Sequence, residues 1–467
     1  MKKYQRSIIR YRRLCTAILG GIITLFLFSC EDFVALDPPP TETTTDNVFT
    51  NNATATSALL GIYSEMFNNA TMTNKMTIAN GLAADELTIY QTGVREQFYD
   101  NTLLPDNSEV ASFWSSIYTY IYSANAILEG LAKHTGVSDS TKVQLEGEAR
   151  LIRAFCHFYL TNLWGDVPLV TTTDFRINAS ALRTPKVDVY GQVIEDLKTA
   201  ETLLAGDYRF SEGDRSRPNR SAATALLARV YLYLQDWANA ETATSTVISN
   251  PAYGLVGELN EVFLANSSEA IWQLSSTWET GLNTRDGGAF ILDAPPNFIA
   301  LNDEIIGAFE AGDDRLTDWI GSFTEGPDTW YYPFKYKIAD GGNNGTPITE
   351  YLMIIRLAEM HLIRAEARAR QNNVTGAQED LNIIRHRATL GNTPASDQAS
   401  LLLAIEHERR MELFTEWGHR WLDLKRTGRA SDLLRPIKPG WQPTDELYPI
   451  PLAEIGDNPN LTQNSGY

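Results

Sequence analysis

From Phe49 onward the apolar positions recur mostly with a helical period. Phe113, Ile117, Tyr120, Ile121, Ala124, Leu128 and Leu131 fall at i, i+4, i+7, i+8, i+11, i+15 and i+18, which lays one apolar stripe along a single helix. A second helix is expected over Leu145 to Leu163, with Leu151, Phe155, Phe158 and Tyr159 on its buried side and Gly165 and Pro168 ending it. A third follows Arg217-Pro218-Asn219, where Asn219 or Ser221 can cap, and aligns Ala223, Leu226, Leu227, Val230, Tyr231 and Leu234. After a turn at Gln235-Asp236, a fourth runs from Trp237 to Ile248 and stops at Asn250-Pro251.

A repeat emerges from these helices. Leu227-Ala228, Tyr231, then Ala240 twelve residues after Ala228, with Pro251 closing the unit, resembles a tetratricopeptide helix pair. Ala365 and Ala377 are also twelve apart, across the turn Gln371-Asn372-Asn373, with Leu381 and Ile384 completing the second helix. Small residues at these points let two helices approach closely, and two pairs in one phase favour a helical-repeat scaffold. Residues 251–350 differ: Gly and Pro are dense, the period is lost, and short strands are expected, such as Ala270 to Ser275 and Phe334 to Ile338. The expected fold is therefore mostly α, a tetratricopeptide-like helical scaffold with a loop-rich insertion that carries a few short strands.

The N-terminal segment changes the picture of where such a body resides. Lys2, Lys3, Arg6, Arg10, Arg12 and Arg13 precede an apolar stretch from Leu14 to Phe28, which reads as a secretory signal. That stretch is shorter than the roughly 20 residues a bilayer-spanning helix needs. Leu27-Phe28-Ser29-Cys30 resembles a bacterial lipobox, which implies a signal peptide over 1–29 and lipid on the Cys30 thiol. Glu31 and Asp32 resemble the acidic tag that sends lipoproteins to the cell exterior. Residues 30–48, with Asp37-Pro38-Pro39-Pro40 and a Thr-rich run, read as a tether, and 49–467 as one body. The formal charge of −19 becomes −25 once the six signal-peptide cations are removed, so nucleic acid is excluded as a partner. Of three cysteines, Cys156 alone remains for the body and sits in an apolar helical run, as a small core residue would.

Across the chain, Glu148-Ala149-Arg150-Leu151-Ile152-Arg153-Ala154-Phe155, Trp164-Gly165-Asp166-Val167-Pro168, Arg356-Leu357-Ala358-Glu359 with Arg364-Ala365-Glu366, Glu408-Arg409-Arg410-Met411-Glu412-Leu413, Arg420-Trp421-Leu422-Asp423-Leu424-Lys425-Arg426, Tyr448-Pro449-Ile450-Pro451 and the closing Asn458 to Tyr467 together resemble the SusD/RagB family. The resemblance implies four tetratricopeptide-like helix pairs, ligand binding in irregular loops, and no catalysis. It also implies a SusC-like TonB-dependent outer-membrane transporter as partner. Read this way, the chain is a cell-surface glycan-binding lipoprotein of the outer membrane that delivers oligo- or polysaccharide to that transporter. A surface glycoside hydrolase and a peptide- or protein-binding tetratricopeptide scaffold are the alternatives.

Paired carboxylates do acid and base work in glycosidases. Glu359, Arg364, Glu366, Arg409, Arg410, Glu412, Arg420 and Asp423 nevertheless read better as ion-pair networks between packed helices. His407-Glu408-Arg409-Arg410-Met411 begins like a zinc-protease motif but has Met411 where the second histidine is required. No cofactor motif occurs, and Asp313-Asp314 is by itself a weak calcium signal. The resemblance places ligand contacts in the loop after Asp85-Glu86 and in the second-half loops, here Asp85, Tyr90, Trp278, Arg285, Phe290 and Asn297, with Trp330 further out. Aromatic faces suit the apolar C–H side of a pyranose, while Asp, Asn and Arg pair with its hydroxyls. Residues 275–350 hold 13 acidic and four basic residues, a balance that repels sulfated or uronate-rich polymers and points to a neutral glycan.

Overall fold

The computed structural model describes residues 45–276, 283–339 and 347–467. Cys30 with Glu31-Asp32, and Trp278, lie outside the described residues. Contacts divide the chain into Met1–Val48, of which the short helix Thr45–Val48 is described, and the body Phe49–Tyr467.

The body is built from eleven principal helices among its described residues: α1 (Asn52–Asn69), α2 (Met76–Ala83), α3 (Ser108–Lys133), α4 (Asp139–Trp164), α5 (Lys186–Leu203), α6 (Arg220–Tyr233), α7 (Trp237–Ile248), α8 (Leu357–Arg370), α9 (Val374–Arg387), α10 (Gln398–Leu413) and α11 (His419–Arg426). Their starts follow from side-chain caps. Asn107 accepts from the Glu109 and Val110 amides at α3, Asn219 from Ala222 at α6, Asp236 from Asn239 at α7, and Asn373 from Gly376 at α9. Each cap satisfies an orphan N–H and contributes about 1 kcal/mol.

The helices stack in two layers. α4, α6, α8 and α10 form one layer; α5 packs on both α4 and α6, α7 on α6 and α8, and α9 on α8 and α10, while α3 begins the second layer against α4. Ala228, Ala240, Ala365 and Ala377 are fully buried, so the close approach expected of both repeat pairs is realised. A larger side chain at any of them would overpack the seam, at a cost of about 1–3 kcal/mol. Cys156 is likewise fully buried. On the far side of the first layer, an aromatic cluster joins α4 to the loops: the Phe155 ring lies 5.6 Å from Trp272 and 5.3 Å from Trp417.

The chain also makes short strands, most of them between α7 and α8. β1 (Leu87–Ile89) pairs antiparallel with β3 (Ile299–Leu301), and β2 (Ala270–Leu274) with β6 (Leu352–Arg356), which runs straight into α8. β4 (Ile320–Glu325) and β5 (Asp328–Pro333) form a hairpin with β5 beside β3. The expected strand over 334–338 does not form. Lys335 turns inward there, its ammonium donating to the Glu412 and Phe414 carbonyls at 2.8 and 2.9 Å, and the strand lies one step earlier at β5. The segment from Tyr448 onward returns to α4: the Tyr448 amide donates to the Leu163 carbonyl, the Trp164 indole to the Pro449 carbonyl, and Asn464 to the Trp164 carbonyl.

Candidate functional site

The charged residues of the family-like motifs pair mainly with one another, although the buried Arg229 Nη1, Arg387 Nε and Arg409 Nη1 carry no hydrogen bond. Arg356, 1% exposed, pairs with Glu269, Glu412 and Glu416, and Arg387 clamps Glu269 and Glu412 from the other side. Arg315 joins them through Asp313, Glu408 and Glu412. Arg229 holds Glu359 through two 2.7 Å bonds, Arg364 pairs with Asp380, Arg409 with Asp423, and Arg426 with Glu366 and Asp423. Burial alone would raise the Glu359 carboxyl, but the charge of Arg229 outweighs it and holds it at about 2. These bidentate, desolvated pairs tie the two helical layers to the loop region. Asp313 is spent on Arg315, and Asp314 accepts from Thr389.

Glu416 belongs to this network as well, bonded to both Arg356 and Lys335.

Asp85 is part of the same framework. It is 6% exposed and accepts bidentately from Arg420 at 2.7 and 2.8 Å, with Arg410 at 2.9 Å. Although burial raises its carboxyl, the bonds and charge of Arg420 bring it below the usual range. Glu86 beside it is in the opposite state: burial, aided by the charge of Asp85, raises its carboxyl to about 7. The chain leaves this anchored pair as β1 and delivers Tyr90, 46% exposed, to the surface.

At that surface three segments converge. The Tyr90 amide donates to the Phe298 carbonyl at 2.7 Å, its hydroxyl lies close to Trp330 of β5, and the Trp330 ring stacks on Phe323 of β4, 6.4 Å away with planes 27° apart. Hairpin register explains the alignment: Phe323 faces Trp330, and Gly321 faces Tyr332. Paired residues share a face of the hairpin, so Phe323, Trp330 and Tyr332 stand on one side. Gly321 makes this possible, since a Cβ there would come within 2.3 Å of the Tyr332 ring. Gly326 closes the two-residue loop with φ of 60°, which the first central position of a primed hairpin turn requires. Below Tyr90, the Arg95 guanidinium sits 4.5 Å over the Phe298 ring and pairs with Glu109. Asn297 is exposed next to Phe298.

The structure thus brings Tyr90, Trp330 and Asn297 to one end of the β1–β3 pair. The other sequence-predicted residues stand elsewhere. Phe290 is 3% exposed at the end of the short helix Arg285–Phe290. Arg285 donates to the Asn68 carbonyl at 2.9 Å, at the end of α1. Sequence reasoning missed Phe323, Phe298 and Arg95. The pair Gly326-Pro327 between two strand-like runs was a usable signal for the first; nothing local marks the other two.

A two-layer helical stack that carries aromatic side chains on inserted loops defines a tetratricopeptide-like scaffold protein. The chain belongs to the SusD/RagB family: the profile described as "Starch-binding associating with outer membrane" matches residues 36–232, and that of the SusD family matches residues 315–467. Among similar proteins, SusD-like protein P25 of Formosa agariphila is 26% identical, covering 96% of this chain and 99% of that one. The starch-binding protein SusD of Bacteroides thetaiotaomicron is 25% identical over 71% of this chain and 74% of its own length. A laminarin-binding SusD-like protein superposes with a TM-score of 0.76 at 25% identity, over 89% of this chain and all of that one. A SusD superfamily protein of Bacteroides vulgatus gives 0.77 at 22% identity, over 89% and 99%.

Proposed function

We propose that this protein is a glycan-binding lipoprotein of the outer cell surface, which captures a neutral oligo- or polysaccharide and passes it to a SusC-like TonB-dependent transporter. The observation that carries this reading is the Tyr90–Trp330–Phe323 surface, exposed at Tyr90 and partly exposed at Trp330 and Phe323, polar at its rim through Asn297, and separate from the buried ion pairs. Stacking of a pyranose on such rings needs no charge from the protein. Similar proteins named for binding starch and laminarin support a β- or α-glucan as the first ligand to try. In this reading Tyr90, Trp330 and Asn297 touch sugar, with Trp278 as a further contact. Arg285 and Phe290 shape the loop, and Asp85 holds the Tyr90 segment from beneath. Catalysis is not part of the reading, because the carboxylates of the conspicuous motifs are held by arginines.

Residues 1–29 are read as the signal, 30–48 as lipidated tether and 49–467 as the body; among the described residues no helix is long and apolar enough to cross a membrane. Titration of the purified body with laminarin and maltooligosaccharides is expected to show binding with no release of reducing ends. Failure of every neutral glycan to bind, or steady hydrolysis, would defeat the proposal. Cys30→Ala should abolish labelling with palmitate; a wild-type chain that takes up none would remove the anchor from it.

A further inference from the structure

Away from the aromatic surface, a second feature stands on α3. Trp114, Tyr118 and Tyr122 occupy i, i+4 and i+8 of that helix and form one wall of a cavity of about 320 Å³, whose opposite wall includes Asn178, Glu454 and Asp457. The aromatic wall is stiff. Trp114 is 2% exposed, lies edge-on to Trp164 at 5.4 Å and 5.0 Å from Tyr118, and sits beside Glu454, while the Tyr118 hydroxyl donates to the Pro168 carbonyl at 2.8 Å. Tyr122 remains 52% exposed at the mouth. No Lys, Arg or His lines the cavity, and among the described ion pairs neither Glu454 nor Asp457 has a partner. Glu148, Glu359, Glu366, Glu412 and Asp423 are clamped by arginines, whereas the half-buried Glu454 beside Asp457 has no paired cation.

The segments that build the opposite wall also carry large apolar side chains into solvent. Phe175, Ile177, Leu182 and Leu452 are 75%, 59%, 67% and 59% exposed. Exposed apolar residues that surround a pocket with unpaired charge have the composition of a protein interface: an apolar surround and one desolvated polar anchor. A sugar would use them poorly, since the Trp114 face is already covered and the Tyr118 hydroxyl is spent. A cation on an apolar stem fits every element at once, its stem along the aromatic faces and its charge at the two carboxylates.

We propose that this cavity is the docking point of a protein partner, which inserts an arginine or lysine side chain between Tyr118, Tyr122 and the Glu454–Asp457 carboxylates while neighbouring apolar side chains cover Phe175, Ile177, Leu182 and Leu452. Central insertion of an arginine is a common anchor of such interfaces. The inference does not depend on the sugar reading, because it uses different residues.

The full chain titrated calorimetrically with acetyl-Leu-Arg-Leu-amide should show binding in the millimolar range. The peptide with citrulline in place of arginine, which keeps shape and removes charge, should bind at least about tenfold more weakly. Glu454→Gln/Asp457→Asn, and separately Tyr122→Ala, should each lower affinity for the arginine peptide by about tenfold or more while thermal unfolding stays unchanged. Absence of arginine-peptide binding at about 20 mM would overturn the proposal, as would equal affinity for the citrulline peptide or unchanged affinity in both variants. Laminarihexaose binding that disappears in Glu454→Gln/Asp457→Asn would make the cavity a sugar subsite and overturn it as well.

Discussion

The arginine–carboxylate network and the Tyr90–Trp330 surface lie a few residues apart in the chain and follow opposite rules. In the network each charge meets an opposite charge inside the protein, so Arg356, Arg387 and Glu412 are buried in ion pairs away from solvent. At the surface, Tyr90 is 46% exposed and Trp330, stacked on Phe323, is only partly buried. The conspicuous charged motifs therefore specify the scaffold, and in the proposed reading the inconspicuous aromatics in the loops do the recognising.

The largest expected effect strikes the network. Glu412→Gln leaves Arg356, Arg387 and Arg315 under-compensated in a buried setting and should destabilise the body by about 3–5 kcal/mol, measured by urea unfolding. Loss of glycan binding in this variant should track the unfolded fraction. If stability were unchanged, the account of a buried paired network would fail.

Glu86 lies on the border between the two regions, and among the described ion pairs it has none. Its folded-state carboxyl titrates near 7, above the ordinary 4.5, so the folded protein holds a proton that the unfolded chain has released. Its contribution to stability therefore falls as pH rises from 4.5 to about 7. Glu86→Gln, which keeps an acceptor for the Thr415 amide, should match wild type at pH 4.5 and exceed it by about 1–3 kcal/mol at pH 8. A margin that does not grow with pH would show that Glu86 is not buried as described.

Trp330→Ala tests the surface directly. Loss of one stacking ring should weaken a neutral glycan about tenfold and move the melting temperature by no more than about 2 °C. The smallest effect is that of salt: raising NaCl from about 0.05 to 0.5 M should change glycan affinity less than about twofold, because neutral stacking is not screened. Strong salt sensitivity would move the ligand class toward charged polymers.

The stack was legible because its signals are local. The 3.6-residue stripe from Phe113 to Leu131 lies within α3, Asn219 and Asp236 cap where cap-forming residues stand, and the alanine spacing recurs in both repeat pairs. The loop region was legible only as loop. Its strands depend on partners far away in sequence: Leu87 pairs with Leu301, and Ala270 with Arg356. The expected strand at 334–338 failed for the same reason, since Lys335 is drawn in by the Glu412 and Phe414 carbonyls, which no neighbouring residue announces. Asp85 looked like a ligand contact because an acidic pair before a loop carries no mark of the Arg420 and Arg410 that meet it from more than 300 positions downstream.

The return of the segment beyond Tyr448 to the end of α4 also sets the timing of folding. Trp164 is joined to Pro449 and Asn464 across separations of 285 and 300 residues. Loops of that length close slowly, and the α4 end cannot reach its final hydrogen bonding until those distant residues are free to arrive. A chain threaded N-terminus first through a narrow channel would keep this seam open throughout its passage, and would complete the body only after residue 464 had emerged.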